Sequence, residues 1–154
     1  TWTPQGTHCL VYSSIIPDQT LAEINKLAKR ENRRAMVFGI AQEKVEQHDW
    51  LDYQPTSETG FIEAMCNADF VISGAGNQLL AETLHLGIPV LITPIPNHFE
   101  LTITAKMQVI AKPDQFVMFH ADAEIPTPNK EVDKSLTAGR SRAVDLIEQL
   151  VNRK

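Results

Sequence analysis

The sequence predicts an α/β fold, a Rossmann-like parallel sheet with helices on both faces. Three observations predict it. Short apolar runs recur at residues 9–12, 35–38, 70–72 and 90–92, and runs of that length suit strands buried on both faces. Segments with helical spacing lie between them, such as Leu21, Ile24, Leu27 and Ala28. Strands that alternate with helices in this way form parallel βα units. The 154 residues, 43% of them hydrophobic, suit one domain over 1–154 with a full core. Residues 1–7, with Pro4 and Gly6, read as a loose lead-in left from an interdomain linker.

The elements follow in order. The first strand covers 9–12. Ser13 and Ser14 come next, and Pro17 with Asp18 opens the first helix. The second strand, 35–38, ends at Gly39. Residues 42–47 suit a short helix and 49–53 a third strand. Gln54, Pro55, Thr56 and Ser57 form a loop, and Ser57 or Thr59 caps a helix over 58–67. The fourth strand centres on Val71. Gly74, Ala75 and Gly76 then give a sharp turn that leaves room for close approach. Asn77 suits the N-cap of a helix striped by Leu79, Leu80, Thr83, Leu84 and Leu86. Gly87 suits its C-cap, with Pro89 two residues on. Residues 90–92 make a fifth strand. A loop at 94–96 leads to a helix over 99–109. The run Phe116 to Phe119 is a last strand or a short helix. Beyond a loop at 124–129, a closing helix over 130–154 turns Val132, Leu136, Ala143, Ile147, Leu150 and Val151 inward.

Composition narrows the function classes. The net charge of −5 is spread along the chain, so no basic face points to nucleic acid or anionic lipid. The cluster Lys29, Arg30, Arg33 and Arg34 reads as a solvated helix end. Cys9 and Cys66 both sit in apolar segments and are expected as buried thiols of a cytoplasmic protein, not a disulfide framework. No signal peptide and no apolar run near eighteen residues is present, which points to a soluble chain. A start at Thr1 without Met suggests a fragment.

The chemistry concentrates after the fourth strand. A small-residue turn that feeds a helix presents unpaired N–H groups at a positive dipole end, which favours a phosphate. Gly74, Ala75, Gly76, Asn77 and Gln78 are the candidates. The pattern is neither a dinucleotide fingerprint nor a P-loop. Glu82, a turn further on, is placed to accept hydrogen bonds from the vicinal hydroxyls of a ribose. Ser13 and Ser14 could meet a diphosphate from the other side. Each feature also has a bland reading: a glycine needed for a turn, a solvated glutamate, a serine closing its own loop. Ligands of such sheets bind past the carboxyl ends of strands where the order reverses. Ser13, Gly39, Gln54, Gly74 and Asn97 all fall at that edge. No clustered metal ligands are evident, and the histidines form no catalytic constellation.

Gly74, Gly76, Glu82, Gly87, Pro89 and Pro94 stand where the C-terminal, nucleotide-donor half of GT-B glycosyltransferases has its motif, so the stretch resembles family 28 and the UDP-glycosyltransferases. The lead-in from Gly60 through Phe61, Glu63 and Ala64 to Asp69 fits the same pattern, as does the stretch from Pro94 to Ala105. The resemblance spans roughly residues 50 to 110. It implies one half of a GT-B fold that binds a UDP-sugar and uses no other cofactor and no metal. It implies transfer of a hexosyl group to an acceptor, at the membrane periphery in some relatives. That acceptor is held by an N-terminal domain or partner subunit outside this chain, which also supplies the catalytic base. It points to Tyr53, Gln54 and Pro55 for the base of the nucleotide and assigns Glu100 to the sugar, with Asn97 and His98 at the loop tip as candidate substitutes where the family's polar residues are replaced. Leu101 and Thr104 depart from the usual glutamine and asparagine. Two alternatives stay open: a nucleotide-binding or interaction domain without catalysis, and an enzyme resembling UDP-sugar epimerases.

Overall fold

The computed structural model describes residues 8–93, 95, 97–120 and 122–127, with Asn77 described by its backbone. The expected lead-in at 1–7 and closing helix at 130–154 lie outside the described residues. Six strands form one sheet in the order β3-β2-β1-β4-β5-β6. They are β1 His8–Tyr12, β2 Arg34–Phe38, β3 Leu51–Tyr53, β4 Val71–Ser73, β5 Val90–Ile92 and β6 Phe116–Met118. Every neighbouring pair is parallel. The helices are α1 Asp18–Arg30, α2 Gln42–Val45, α3 Glu58–Cys66, α4 Asn77–Leu86 and α5 Phe99–Ala111. The expected α/β class stands, and the run at 116–119 resolves as a strand.

The strands are apolar on both sides because each side meets a separate core. Cys9 and Val11 face one cluster with Leu21, Ile24, Leu27 and Ala28 of α1. Leu10 faces the other, with Met65 of α3 and Leu79 and Leu80 of α4. The same alternation sends Ile72 and Leu91 to the α1 side, and Val71, Val90 and Ile92 to the side of α4 and α5. This is the two-residue period of a strand acting on a sheet covered twice. Each fully buried Leu or Ile contributes about 1.5–3 kcal/mol.

Local chemistry sets the ends of the helices. Pro17 caps α1 with φ −61°, Asp18 lies in its first turn, and Lys29 and Arg30 lie in its last, each charge complementing the helix dipole. Ser57, not Thr59, caps α3: its Oγ accepts from the Gly60 N–H at 3.2 Å. Gly87 ends α4 in the left-handed region at φ 71°. There the Ile88 N–H reaches the Thr83 carbonyl at 3.0 Å, the cross-over bond of a glycine stop. The buried Gln115 amide donates to the carbonyls of both Thr83 (2.9 Å) and Ile88 (3.0 Å). Those carbonyls are thus paired by a side chain that leads into β6.

Three expectations need correction. The N-cap of α4 is Gly76, and Asn77 is the first helical residue. Strand β3 starts at Leu51, because the Trp50 N–H is drawn to Asn25 Oδ1 of α1 at 2.9 Å. Cys66 is exposed while Cys9 is buried. The last turn of α3 buries Ala64 and Met65, which turns Cys66 outward. Burial pushes the Cys9 thiol from 9.0 up to about 12.

Three outcomes follow from this packing. A thiol reagent at neutral pH should titrate Cys66 alone in the native chain and both thiols after unfolding. The unfolded Cys9 loses its proton near pH 9.0 and the folded one near 12. The unfolded state therefore holds fewer protons between those values, and stability should fall as pH rises through that window. Gly39, at φ +83°, lies so close to the loop after β1 that a Cβ would sit 2.8 Å from the Ser13 carbonyl oxygen. Gly39→Ala should cost about 1–3 kcal/mol in denaturant unfolding.

Candidate functional site

The strand order reverses between β1 and β4. These strands are neighbours, with Tyr12 opposite Ser73, so their following turns begin side by side at the carboxyl edge. The chain leaving β1 runs to α1 on one face, and the chain leaving β4 runs to α4 on the other. The two turns diverge toward opposite faces, and it is at such a reversal that open sheets of this kind have their ligand crevice.

The turn after β1 contains Ser13 and Ser14. Ser13 is buried, and its hydroxyl is engaged within its own loop. It donates to the Ile15 carbonyl at 3.0 Å and accepts from the Ile15 N–H at 3.3 Å. Ser14 is exposed. Tyr12, the last residue of β1, is also exposed, and its ring lies 5.1 Å from that of Phe61, which meets Phe38 edge-on at 5.4 Å. Sequence reasoning passed over Tyr12 because it closes a strand pattern. Its position immediately before Ser13 was the available signal.

The turn after β4 contains two glycines with different reasons to be glycine. Gly74 is buried, and a Cβ there would lie 2.8 Å from Ile95 Cδ1, so it lets the loop after β5 pack close. Gly76 is exposed, has φ −67°, and a Cβ there would meet nothing within 4 Å. Neither backbone conformation nor packing demands glycine at Gly76. What its missing side chain leaves is open space at the start of α4. Ala75 between them is buried. No side chain caps α4, so the N–H groups of its first turn, at Asn77 and Gln78 among others, carry the positive end of the dipole. One turn along, Gln78 Nε2 donates to Glu82 Oε1 at 3.2 Å, and Glu82 is half-buried. This bond uses one carboxylate oxygen and fixes the orientation of the group.

The remaining candidates flank the crevice. Tyr53 and Gln54 close β3 and are half-buried; Tyr53 packs on the α1-side core, and the Gln54 N–H extends the ladder to the Val37 carbonyl at 2.9 Å. Beyond β5, Asn97 takes a left-handed φ of 65°, and His98 caps α5 without a side-chain bond. Asn97, His98 and Glu100 are all exposed, and Glu100 lies in the first turn of α5. Leu101 instead packs into the core beside α4. The carboxyl ends of β3, β1, β4 and β5 thus bring every candidate to one edge, with Ser14 and Gly76 at its centre. Among the described residues, no group of three or more His, Cys, Asp or Glu side chains could hold a metal ion. None of the described helices is long and apolar enough to cross a membrane.

Known proteins share this fold. The model of a family described as glycosyl transferase family 1 matches residues 2–112. No curated protein matches. Among solved structures, the chain is similar to MurG of Acinetobacter baumannii, at 17% identity and a TM-score of 0.55 over 92% of this chain and 43% of that one. It is also similar to the glycotransferase of kitacinnamycin, at 16% identity and a TM-score of 0.57 over 96% of this chain and 44% of that one. At such identities the likeness is one of fold. The chain spans less than half the length of either structure.

The open space at Gly76 has a direct consequence for stability. Gly76→Val should change the unfolding free energy by no more than about 1 kcal/mol, the range of an N-cap exchange, as read by denaturant titration.

Proposed function

Since the chain belongs to glycosyl transferase family 1 and has the sheet of a GT-B glycosyltransferase domain, we propose that it is the donor-binding half of a hexosyltransferase. It binds a UDP-sugar at the carboxyl edge of the sheet. The observation that carries this reading is the pairing of two turns at the β1–β4 reversal, one of them opening α4 at a glycine that neither backbone conformation nor packing requires.

Each part of the donor has a counterpart along that edge. The diphosphate lies at the start of α4, over Gly76, against the N–H groups that follow and the Ser14 hydroxyl. Glu82 accepts from the ribose hydroxyls with the oxygen that Gln78 leaves free. Tyr53 and Gln54 hold the base, and Asn97, His98 and Glu100 meet the sugar. From β3 to β5 the edge spans four strand spacings, about 19 Å, the scale of an extended nucleotide sugar. In the reaction, an acceptor oxygen bonds to the anomeric carbon as the bond from that carbon to the diphosphate breaks. The electron pair leaves on the phosphate, where the helix dipole stabilises it. No metal is needed for that charge. The acceptor's proton goes to a base on an N-terminal domain or partner subunit that also holds the acceptor.

A specific observation favours a second reading, binding without transfer. Leu101, at the position of the family's glutamine, packs into the core and contributes no polar group to the sugar.

Calorimetric titration with UDP, UDP-GlcNAc, GDP and TDP tests the proposal, and preference for uridine nucleotides is expected. Equal affinity for all of them, or for none, would sink the UDP reading. Glu82→Ala should weaken UDP binding about 10–100-fold, the range for a charge-assisted hydrogen bond. Gly76→Val should abolish binding while the fold persists. The isolated chain should transfer no sugar; turnover by it alone would show that no further domain is required.

A further inference from the structure

Of the seven large apolar side chains that stand exposed among the described residues, Tyr12 alone belongs to a strand. It is 43% exposed, whereas its partners in register, Phe38 on β2 and Ser73 on β4, are both buried. Leu10 faces the cluster shared by α3 and α4, and Tyr12, two residues on, leaves the strand on that same face. Tyr12 therefore occupies a core-facing position at a place the helices leave uncovered.

The ring is held in place. Phe61 of α3 lies against it at 5.1 Å and an angle of 58°, and Phe61 is braced in turn by Phe38. A Cβ at Gly39 would come within 3.7 Å of Tyr12 Cε2, so the turn after β2 closes on the ring as well. An aromatic ring that is fixed by its neighbours and still open to solvent offers an apolar surface at little further entropic cost.

Position decides what that surface meets. β1 lies one strand spacing, about 5 Å, from β4 and its small-residue turn, and two spacings, about 10 Å, from β3 and the loop at Tyr53 and Gln54. A donor laid with its diphosphate at the first and its base at the second crosses Tyr12 with its nucleoside. We infer, resting on the UDP-sugar reading of this edge, that Tyr12 is a binding residue for the donor nucleoside, its ring packed against the ribose and base where they join. Stacking on an aromatic face does not read base identity. Tyr12 thus supplies affinity, and the loop after β3 supplies the choice of base.

Titration of the full chain with UDP tests the inference. Tyr12→Leu keeps an apolar side chain at an exposed position and removes the ring; it should weaken UDP binding about tenfold or more. Tyr12→Phe keeps the ring and should stay within about threefold of the unaltered chain. Inorganic pyrophosphate, which has no nucleoside, should bind all three alike. In the complex of the unaltered chain with UDP, nuclear Overhauser effects should connect the Tyr12 ring protons to the anomeric proton of the ribose and the neighbouring ring proton of the uracil. Unchanged UDP affinity in Tyr12→Leu, or the lack of those connections, overturns the inference and leaves UDP binding standing. Weakening of UDP and pyrophosphate together in Tyr12→Leu would show that the ring only holds the turns, and likewise overturns it. An unaltered chain that binds no nucleotide removes the UDP-sugar reading and this inference with it.

Discussion

Everything at the functional edge depends on the pairing of β1 with β4. β1 is buried from Cys9 to Val11, and it is the strand from which the chain builds outward in both directions. The first half of the chain adds β2 and β3 on one side, and the second half adds β4, β5 and β6 on the other. Right-handed crossovers then force the helices of the two halves onto opposite faces. That handedness, more than any single side chain, separates the turns after β1 and β4. The crevice follows from covalent chirality and strand order, and the residues at its rim decide what fits it.

Those rim residues divide by the kind of reason each has for its identity. Gly39 is fixed by a positive φ and by the nearby Ser13 carbonyl, and Gly74 by the side chain of Ile95. Both shape the site from behind. Ser13 belongs with them, since its hydroxyl closes the loop it sits in. Gly76, Ser14 and the outward groups of His98 and Glu100 have no such internal role among the contacts of the described residues. The architecture therefore separates a rigid inner layer from an outer layer whose chemistry is available to a ligand.

Much of the fold was legible in the sequence because its strands are buried twice. A continuous apolar run such as Val90, Leu91 and Ile92 is hard to place anywhere but inside a parallel sheet. The glycine stop at Gly87 was legible, and the cap of α3 was narrowed to Ser57 or Thr59, because each is a local contract between a residue and the backbone next to it. The misses came from contacts between distant segments. The start of β3 is set by Asn25, twenty-five residues before Trp50. Which face of α3 carries Cys66 depends on packing that a nine-residue helix does not announce. The position of the candidate residues was legible in outline, as a row of strand ends. Its detail was not, because backbone N–H groups leave no trace in residue identity, and because Ser13 and Ser14 are alike until the loop path decides which one is buried.

The anchoring of α4 has a mechanical consequence. Its far end is held twice, by the left-handed turn at Gly87 and by the Gln115 amide across Thr83 and Ile88. Its near end rests on a three-residue turn without a side-chain bridge. The helix is a cantilever clamped at the base, with its tip at Gly76. Leu79 and Leu80 seat its first turns in the core, so a load applied at the open tip is passed along the helix to that clamped root. A change at Gln115, on the opposite rim from the crevice, would loosen the clamp and be felt at the tip.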